Sequence, residues 1–337
     1  HVPAPVPNVK ASAPTTVRAR TTSPSASSIS QPPARSRTLW TLAPSRDKPP
    51  LMSKAPLPVV RTVADLRVVV AGWKAAGERV AMIPTMGALH SGHLSLIALG
   101  RETADRTVAS IFVNPAQFAP HEDFDAYPRG ETEDAAKLAE AGCDLLFAPN
   151  AREMYPEGFA TSVTVDRGVS EPLEGVSRPH FFGGVATVVA KLLIQCQPDV
   201  AIFGEKDYQQ LLVIKRMARD LGLPVEILGG STARESDGLA LSSRNAYLSD
   251  EERKAARALP AAMRYAVAAL RDGGEVIDVE GAVMASLTGA GFRQIDYVEV
   301  RNGATLERLG PGPVRPGARV FVAAWMGKTR LIDNWAV

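Results

Sequence analysis

From residue 79 onward the chain alternates short apolar runs with stretches of helical period, and that alternation admits very few architectures. Residues 79–84 (RVAMIP), 107–113 (TVASIFV), 144–147, 199–203 and 225–228 are short and apolar, and each reads as a strand, the first of them buried. Between them, the stretch after His90 (LSLIALGRE), 132–141 closed by Gly142, 185–195 (VATVVAKLLIQ) and 208–221 closed by Gly222 carry helical spacing. Strands joined by helices of this length make βαβ units, whose crossovers lay the strands parallel. The predicted fold class is therefore α/β, a doubly wound parallel sheet of Rossmann-like form.

The pattern changes near residue 232. Residues 250–270 are rich in alanine and predict one long helix, capped by Ser249 or Asp250 and ended at Asp272 and the two glycines that follow. A second helix over 280–287 precedes three strand candidates at 295–300, 318–323 and 329–332. Helices first and clustered strands later predict a smaller α+β C-terminal domain over 233–337, following a nucleotide-binding domain over 52–232.

Residues 1–51 are different again. Ten of the 26 prolines fall there, with seven Lys or Arg against one acid, Asp47. Dense proline breaks helices and denies strands their donors, so a disordered tail is expected, with globular patterning starting at Met52. Removing that basic segment leaves an acidic remainder, which argues against nucleic acid as a partner. No run approaches the ~18 apolar residues of a spanning helix, so no membrane partner is expected. Two cysteines, Cys143 and Cys196, stand in no zinc spacing and fit a reducing compartment. The cytoplasm is the expected location. The Arg- and Ser-rich tail also has the composition of an organelle transit peptide, which ranks second.

Four segments carry chemistry. "PTMGALHSGH", Pro84 to His93, lies where the first strand gives way to the first helix, so free helix N–H groups and the dipole favour a phosphate there. Gly87 and Gly92 let the backbone approach that phosphate, and His90 and His93 share a face at the helix start. "FGEKDYQQ", Phe203 to Gln210, repeats the strand-to-helix geometry and offers Lys206 as a point charge for a polyphosphate, with amides at Gln209 and Gln210. "LSSRN", Leu241 to Asn245, supplies hydroxyls and a guanidinium for phosphate oxygens. "VNPAQF", Val113 to Phe118, brings Asn114 and Gln117 to the same sheet edge, where neutral amides suit a small polar substrate.

Taken together these segments, with "DAYPRG", "REXDGLALSSRN" (Ser236 at X) and the closing "TRLIDN", resemble the pantoate–β-alanine ligase family of the His-x-Gly-His nucleotidyltransferase superfamily, in order and approximate spacing. The resemblance spans residues 59–334. It implies an amide-forming ligase that uses Mg-bound ATP: pantoate carboxylate attacks the α-phosphorus to give pantoyl adenylate and pyrophosphate, and the β-alanine amine then displaces AMP. It further implies a homodimer, with ATP, (R)-pantoate and β-alanine as partners. By similarity, Met86, Gly87, Ala88, Leu89, His90, Ser91, Gly92 and His93 contact ATP, as do Gly204, Glu205, Lys206, Asp207, the Ala233 backbone, Leu241, Ser242, Ser243 and Arg244. His93, His90 and Lys206 are the catalytic candidates, with His93 a general acid. Gln117 and Gln210 hold pantoate, and Gln117 also meets β-alanine. No metal ligand transfers; Glu133 and Asp134 lie in the acidic stretch after "YPRG", and Mg2+ is expected on the phosphates and water.

One departure stands out. The family reads Arg-Pro-x-His-Phe-x-Gly-Val, whereas Arg178 to Val185 reads "RPHFFGGV", with His180 one place early and Phe181 in the histidine's position. Two rivals remain at this stage. Another nucleotidyltransferase acting on a phosphorylated substrate would need extra cations where Asn114, Gln117 and Gln210 stand. A non-catalytic ATP-binding module would need the glycines but not His90, His93 and Lys206 together.

Overall fold

The alternating runs assemble into one six-stranded parallel sheet in the order β1-β4-β3-β2-β5-β6. Its strands are β1 (Val59–Val60), β2 (Val80–Thr85), β3 (Arg106–Ile111), β4 (Leu145–Phe147), β5 (Val200–Gly204) and β6 (Glu226–Gly230). The computed structural model describes residues 56–119 and 124–337, so the tail at 1–51 and the start at Met52 lie outside the described residues.

Alternation along each strand divides the core. Val80 and Met82 face a layer made by α1 (Val63–Ala75), α6 (Phe181–Cys196) and α7 (Tyr208–Asp220), while Ala81 and Ile83 face α2 (Ser91–Thr103) and α3 (Glu131–Ala141). Residues two apart share a face and neighbours do not, so a strand buried on both sides must be apolar throughout. Two short helices, α4 (Ala151–Met154) and α5 (Glu174–Ser177), lie between β4 and α6. Both cysteines are buried and free, and burial pushes the Cys196 thiol up to about 12. Among the described residues no helix is long and apolar enough to cross a membrane.

The C-terminal part is antiparallel: β7 (Gln294–Asn302), β8 (Ala318–Met326) and β9 (Thr329–Ala336) form a three-stranded sheet packed against α9 (Ala258–Arg271) and α10 (Val276–Gly289). The single helix expected over 250–270 is two, α8 (Asp250–Ala255) and α9. The break lies one turn before Pro260, which has no N–H for the carbonyl of Ala256 and crowds it with its ring. Ser249 does cap α8, accepting from Glu252 N at 3.2 Å while Glu252 answers to Ser249 N at 2.9 Å. Leu173, ahead of α5, packs with Leu306 and Phe321, joining the two sheets through apolar contact. Beside it Glu174 accepts a forked pair from Arg330 at 2.8 and 2.9 Å, and Arg330 also meets Asp296 at 2.6 Å.

Candidate active site

The sheet order places a topological switch point between β2 and β5. Successive connections turn one way after β2, to β3 and β4, and the other way after β5, to β6. The carboxyl ends of such a pair frame a crevice. A cavity of about 980 Å³ opens there and continues toward the C-terminal sheet. Met86, His90, Gly92, His93, Gln117, Gly204, Lys206, Asp207, Gln210, Ala233, Leu241, Ser242, Ser243 and Arg244 all line it. Five stretches of chain between Met86 and Arg244 thus meet in one space.

The two histidines are built into the helix start. His90 is the N-cap of α2, and its Nδ1 accepts from Gly92 N at 3.2 Å; His93 Nδ1 accepts from His90 N at 3.3 Å. The pair reproduces a capping box with imidazole in place of hydroxyl and carboxylate. An Nδ1 that accepts cannot carry a proton, so each neutral ring holds its hydrogen on Nε2, the nitrogen left to donate. Burial drives the His93 imidazole down to about 3, with His90, Lys206 and Lys137 adding like charge and Asp207 opposing them. His90 is lowered as well, by burial first and then by Lys206 and Lys137. The rings lie 4.1 Å apart between centroids.

The glycines of this loop make room for protein groups. A Cβ on Gly92 would stand 2.9 Å from His90 Cε1, and one on Gly87 would stand 3.1 Å from Asp134 Oδ2. Gly87, Ala88, Leu89, Ser91 and Glu205 do not line the large cavity. The reason for two of them is Asp134, a residue whose role sequence reasoning missed. It is 2% exposed on the first turn of α3, and its two carboxylate oxygens accept from Ala88 N and Leu89 N, both at 2.8 Å. Lys137, one turn on, donates to the Leu89 carbonyl at 2.9 Å. Those amides therefore serve the fold of the loop. Leu89 is buried in the core and Ser91 is exposed.

Across the cavity, at the end of β3, Asn114 and Gln117 form a buried amide pair. Asn114 Nδ2 donates to Gln117 Oε1 at 3.1 Å and to the Gly184 carbonyl at 3.2 Å, while Tyr155 donates to Asn114 Oδ1 at 2.7 Å. Gln117 Nε2 rests on the Met86 sulfur at 3.0 Å. Gln209 and Gln210 both line the cavity, but the Gln209 amide is spent on backbone: it accepts from Glu174 N and donates to the carbonyls of Val169 and Pro172. Phe181 also faces the cavity, with the Arg178 guanidinium 3.9 Å above its ring, whereas His180 is exposed and outside it. The phenyl ring thus occupies the place that the resemblance assigns to an imidazole.

The third wall is the loop after β6. Leu241 N donates to the Ala233 carbonyl at 2.9 Å, Asn245 Nδ2 to the Ala240 carbonyl at 3.0 Å, and Ser242 caps the turn that presents Ser243 and Arg244. Lys206 opposes it from the turn after β5, 3.6 Å from Asp207. Among the described residues no group of three His, Cys, Asp or Glu could hold a metal ion. Both Asp134 oxygens already accept backbone N–H groups.

Comparison with known proteins agrees with this geometry. The sequence profile described as Pantoate-beta-alanine ligase matches residues 58–336. The pantothenate synthetase of Caulobacter vibrioides is 67% identical over 280 residues, covering 83% of this chain and 98% of that protein. The crystal structure of pantothenate synthetase from Thermus thermophilus superposes with a TM-score of 0.78 at 49% identity, covering 83% of this chain and 99% of that one. The pantoate-beta-alanine ligase of Francisella tularensis, complexed with beta-gamma ATP and beta-alanine, follows with 0.71 at 30% identity over 83% and 97%. Matching profile, sequence and fold over the same residues, this chain belongs to the pantoate–β-alanine ligase family.

Proposed function

We propose that this ligase condenses (R)-pantoate with β-alanine through a pantoyl adenylate, using ATP and releasing AMP and diphosphate. The observation that carries the reading is the split character of the cavity. Cations and N–H donors (His90, His93, Lys206, Arg244 and the Ser242 and Ser243 hydroxyls) gather at the β2–β5 switch point, and neutral amides (Asn114, Gln117) face them from the end of β3. The first wall suits a triphosphate. The second suits a small hydroxy acid held by hydrogen bonds; the cation beside its amides, Arg178, is stacked on Phe181 and donates to the Gln117 carbonyl. The Francisella protein was crystallised with an ATP ligand and β-alanine, which supports the same assignment.

On this reading ATP lies across the start of α2, with Mg2+ held by its phosphates and water. A pantoate carboxylate oxygen attacks the α-phosphorus, and the bond to the bridging oxygen breaks. His90 and His93 donate from Nε2 to the charge that develops on the leaving diphosphate, and Lys206 lies beside it. Because each Nδ1 holds a backbone N–H, His93 acts as a fixed donor more than as a general acid. The amine of β-alanine then attacks the acyl carbon, AMP departs, and the amine's extra proton passes to water or to AMP. Gln117 orients pantoate and then β-alanine, and Gln210 orients pantoate. Residues 233–337 serve as a second domain that carries the Ser242–Ser243–Arg244 turn. Organelle targeting would rest on the tail, outside the described residues.

The test is AMP release from ATP, measured with pantoate and β-alanine together and with each omitted. Steady release is expected only with both. Steady release without pantoate, or with a phosphorylated hydroxy acid in its place, would overturn the assignment.

A further inference from the structure

The closing strand carries a sequence, Thr329 to Asn334, to which the chemistry above gives no task, and its last two residues reach back to the ATP-facing wall. Asn334 is 4% exposed. Its Nδ2 donates to the carbonyls of Glu205 and Lys206 at 2.9 and 2.8 Å, and its Oδ1 accepts from Arg319. Asp333 is buried too and takes a forked pair from Arg234, both bonds 2.8 Å, with Trp335 Nε1 donating to it at 3.0 Å. Arg234 directly follows Ala233, whose carbonyl receives Leu241 N at the head of the serine turn.

The turn that Asn334 grips has little local support. Neither the short turn Glu205–Asp207 nor α7 behind it has a side-chain N-cap. A helix start left uncapped has backbone groups and terminal residues free to shift, and Lys206 sits in that first turn. Its backbone is pinned from the other sheet, by an amide 128 residues away. Glu205 adds a second tie, 3.7 Å from Arg319, whose guanidinium lies 3.7 Å over the Tyr208 ring.

We propose that Asn334 is a positioning residue for Lys206: β9 holds the uncapped turn so that the lysine ammonium stands at the triphosphate, and this is why the strand carries Asn at position 334. The inference rests on the reading of Lys206 as an ATP contact. Asn334→Asp is the sharpest variant, because it keeps the acceptor for Arg319 and replaces only the donor with an oxygen that repels both carbonyls. Displacement of a reacting group by about 1 Å costs on the order of a hundredfold. The expected loss in kcat/KM for ATP is therefore roughly ten- to hundredfold, with melting lowered by roughly 5–10 °C because two buried carbonyls lose their donor.

A double-mutant cycle with Lys206→Ala decides it. If Asn334 acts through Lys206, Asn334→Asp lowers kcat/KM in the wild-type background and changes it by less than about twofold once Lys206 is alanine. An equal loss in both backgrounds, or normal kinetics of Asn334→Asp while Lys206→Ala is impaired, overturns the positioning role and leaves the ATP assignment intact. Normal kinetics of Lys206→Ala overturns both. Should Asn334→Asp melt below the assay temperature, Asn334→Ser, uncharged and with one donor, takes its place in the same cycle.

Discussion

Asp134 is the residue whose removal should do most harm without touching substrate. Its carboxylate is 2% exposed and holds Ala88 N and Leu89 N at 2.8 Å each, two residues before His90 begins α2. In Asp134→Asn one oxygen still accepts, but the other N–H faces an NH2 group and stays buried without a partner. A hydrogen bond to a charged acceptor contributes about 1.5–3 kcal/mol, and orphaning the donor costs a similar amount, so a net destabilisation of about 2–4 kcal/mol follows. For a chain of this size that is a melting shift of roughly 5–10 °C. Asp134→Ala orphans both donors and should lose about twice as much. The loop also carries His90, the proposed donor to the leaving diphosphate, so turnover should fall by roughly a hundredfold even in the folded variant. Circular-dichroism melts and single-turnover AMP release on the same preparations separate the two effects. Native melting with native turnover in Asp134→Asn would show that the loop holds its shape by other means.

Three further outcomes are expected. His93→Ala and Lys206→Ala should each reduce turnover by about a hundredfold or more, with stability lowered by about 1–2 kcal/mol in His93→Ala, which loses its half of the capping box, and by about 1 kcal/mol or less in Lys206→Ala; turnover and melting measured on each variant check this. Phe181→His should not raise activity, because the phenyl ring already seats the Arg178 guanidinium at 3.9 Å; near-native kinetics at pH 8 should worsen as the pH falls through about 6.5, where an imidazolium would meet that cation, and a gain at every pH would contradict the stacking argument. The depressed histidines also set an acid limb of stability. Their unfolded forms titrate near 6.5 while folded His93 does so at about 3, so the unfolded chain binds more protons in between: stability is full above about pH 6.5, declines toward 3, and should decline less in His93→Asn, as urea melts across that range would show.

The sheet was legible because a strand buried on both faces has to be a continuous apolar run, as β2 to β5 are, and the fifth run, the edge strand β6, is apolar enough to read alike although it is mostly half-buried. That the strand-to-helix loops share one cavity was legible because glycines, histidines and a lysine gather at those junctions, but the structural tasks of His90 and His93 as a capping box, and of Gly87 and Gly92 beside Asp134 and His90, were not. What escaped has physical causes. Helix α1, VADLRVVVAGWKA, is crowded with valines that suit a strand equally well, and only Thr62, whose hydroxyl accepts from Asp65 N at 3.1 Å, marks its start. Asp134 looks like any acid complementing a helix dipole until the partner loop, more than forty residues away, is seen against it. Gln209 and Gln210 are adjacent and chemically identical, and both reach the cavity wall, yet only the fold shows that the Gln209 amide is committed to the backbone of residues 169–174. Asn334 is the extreme case, since its partners lie 128 and 129 residues earlier and nothing local to β9 hints at them.

The central claim is that the carboxylate is activated on phosphorus before any amine arrives. Exchange of labelled pyrophosphate into ATP, in the presence of pantoate and with β-alanine absent, measures that step alone. The arrangement of phosphate-facing donors at the β2–β5 crevice with amides opposite predicts exchange with ATP and pantoate alone, abolished when pantoate is omitted and reduced by about a hundredfold in Lys206→Ala. Exchange that strictly requires β-alanine would contradict the account.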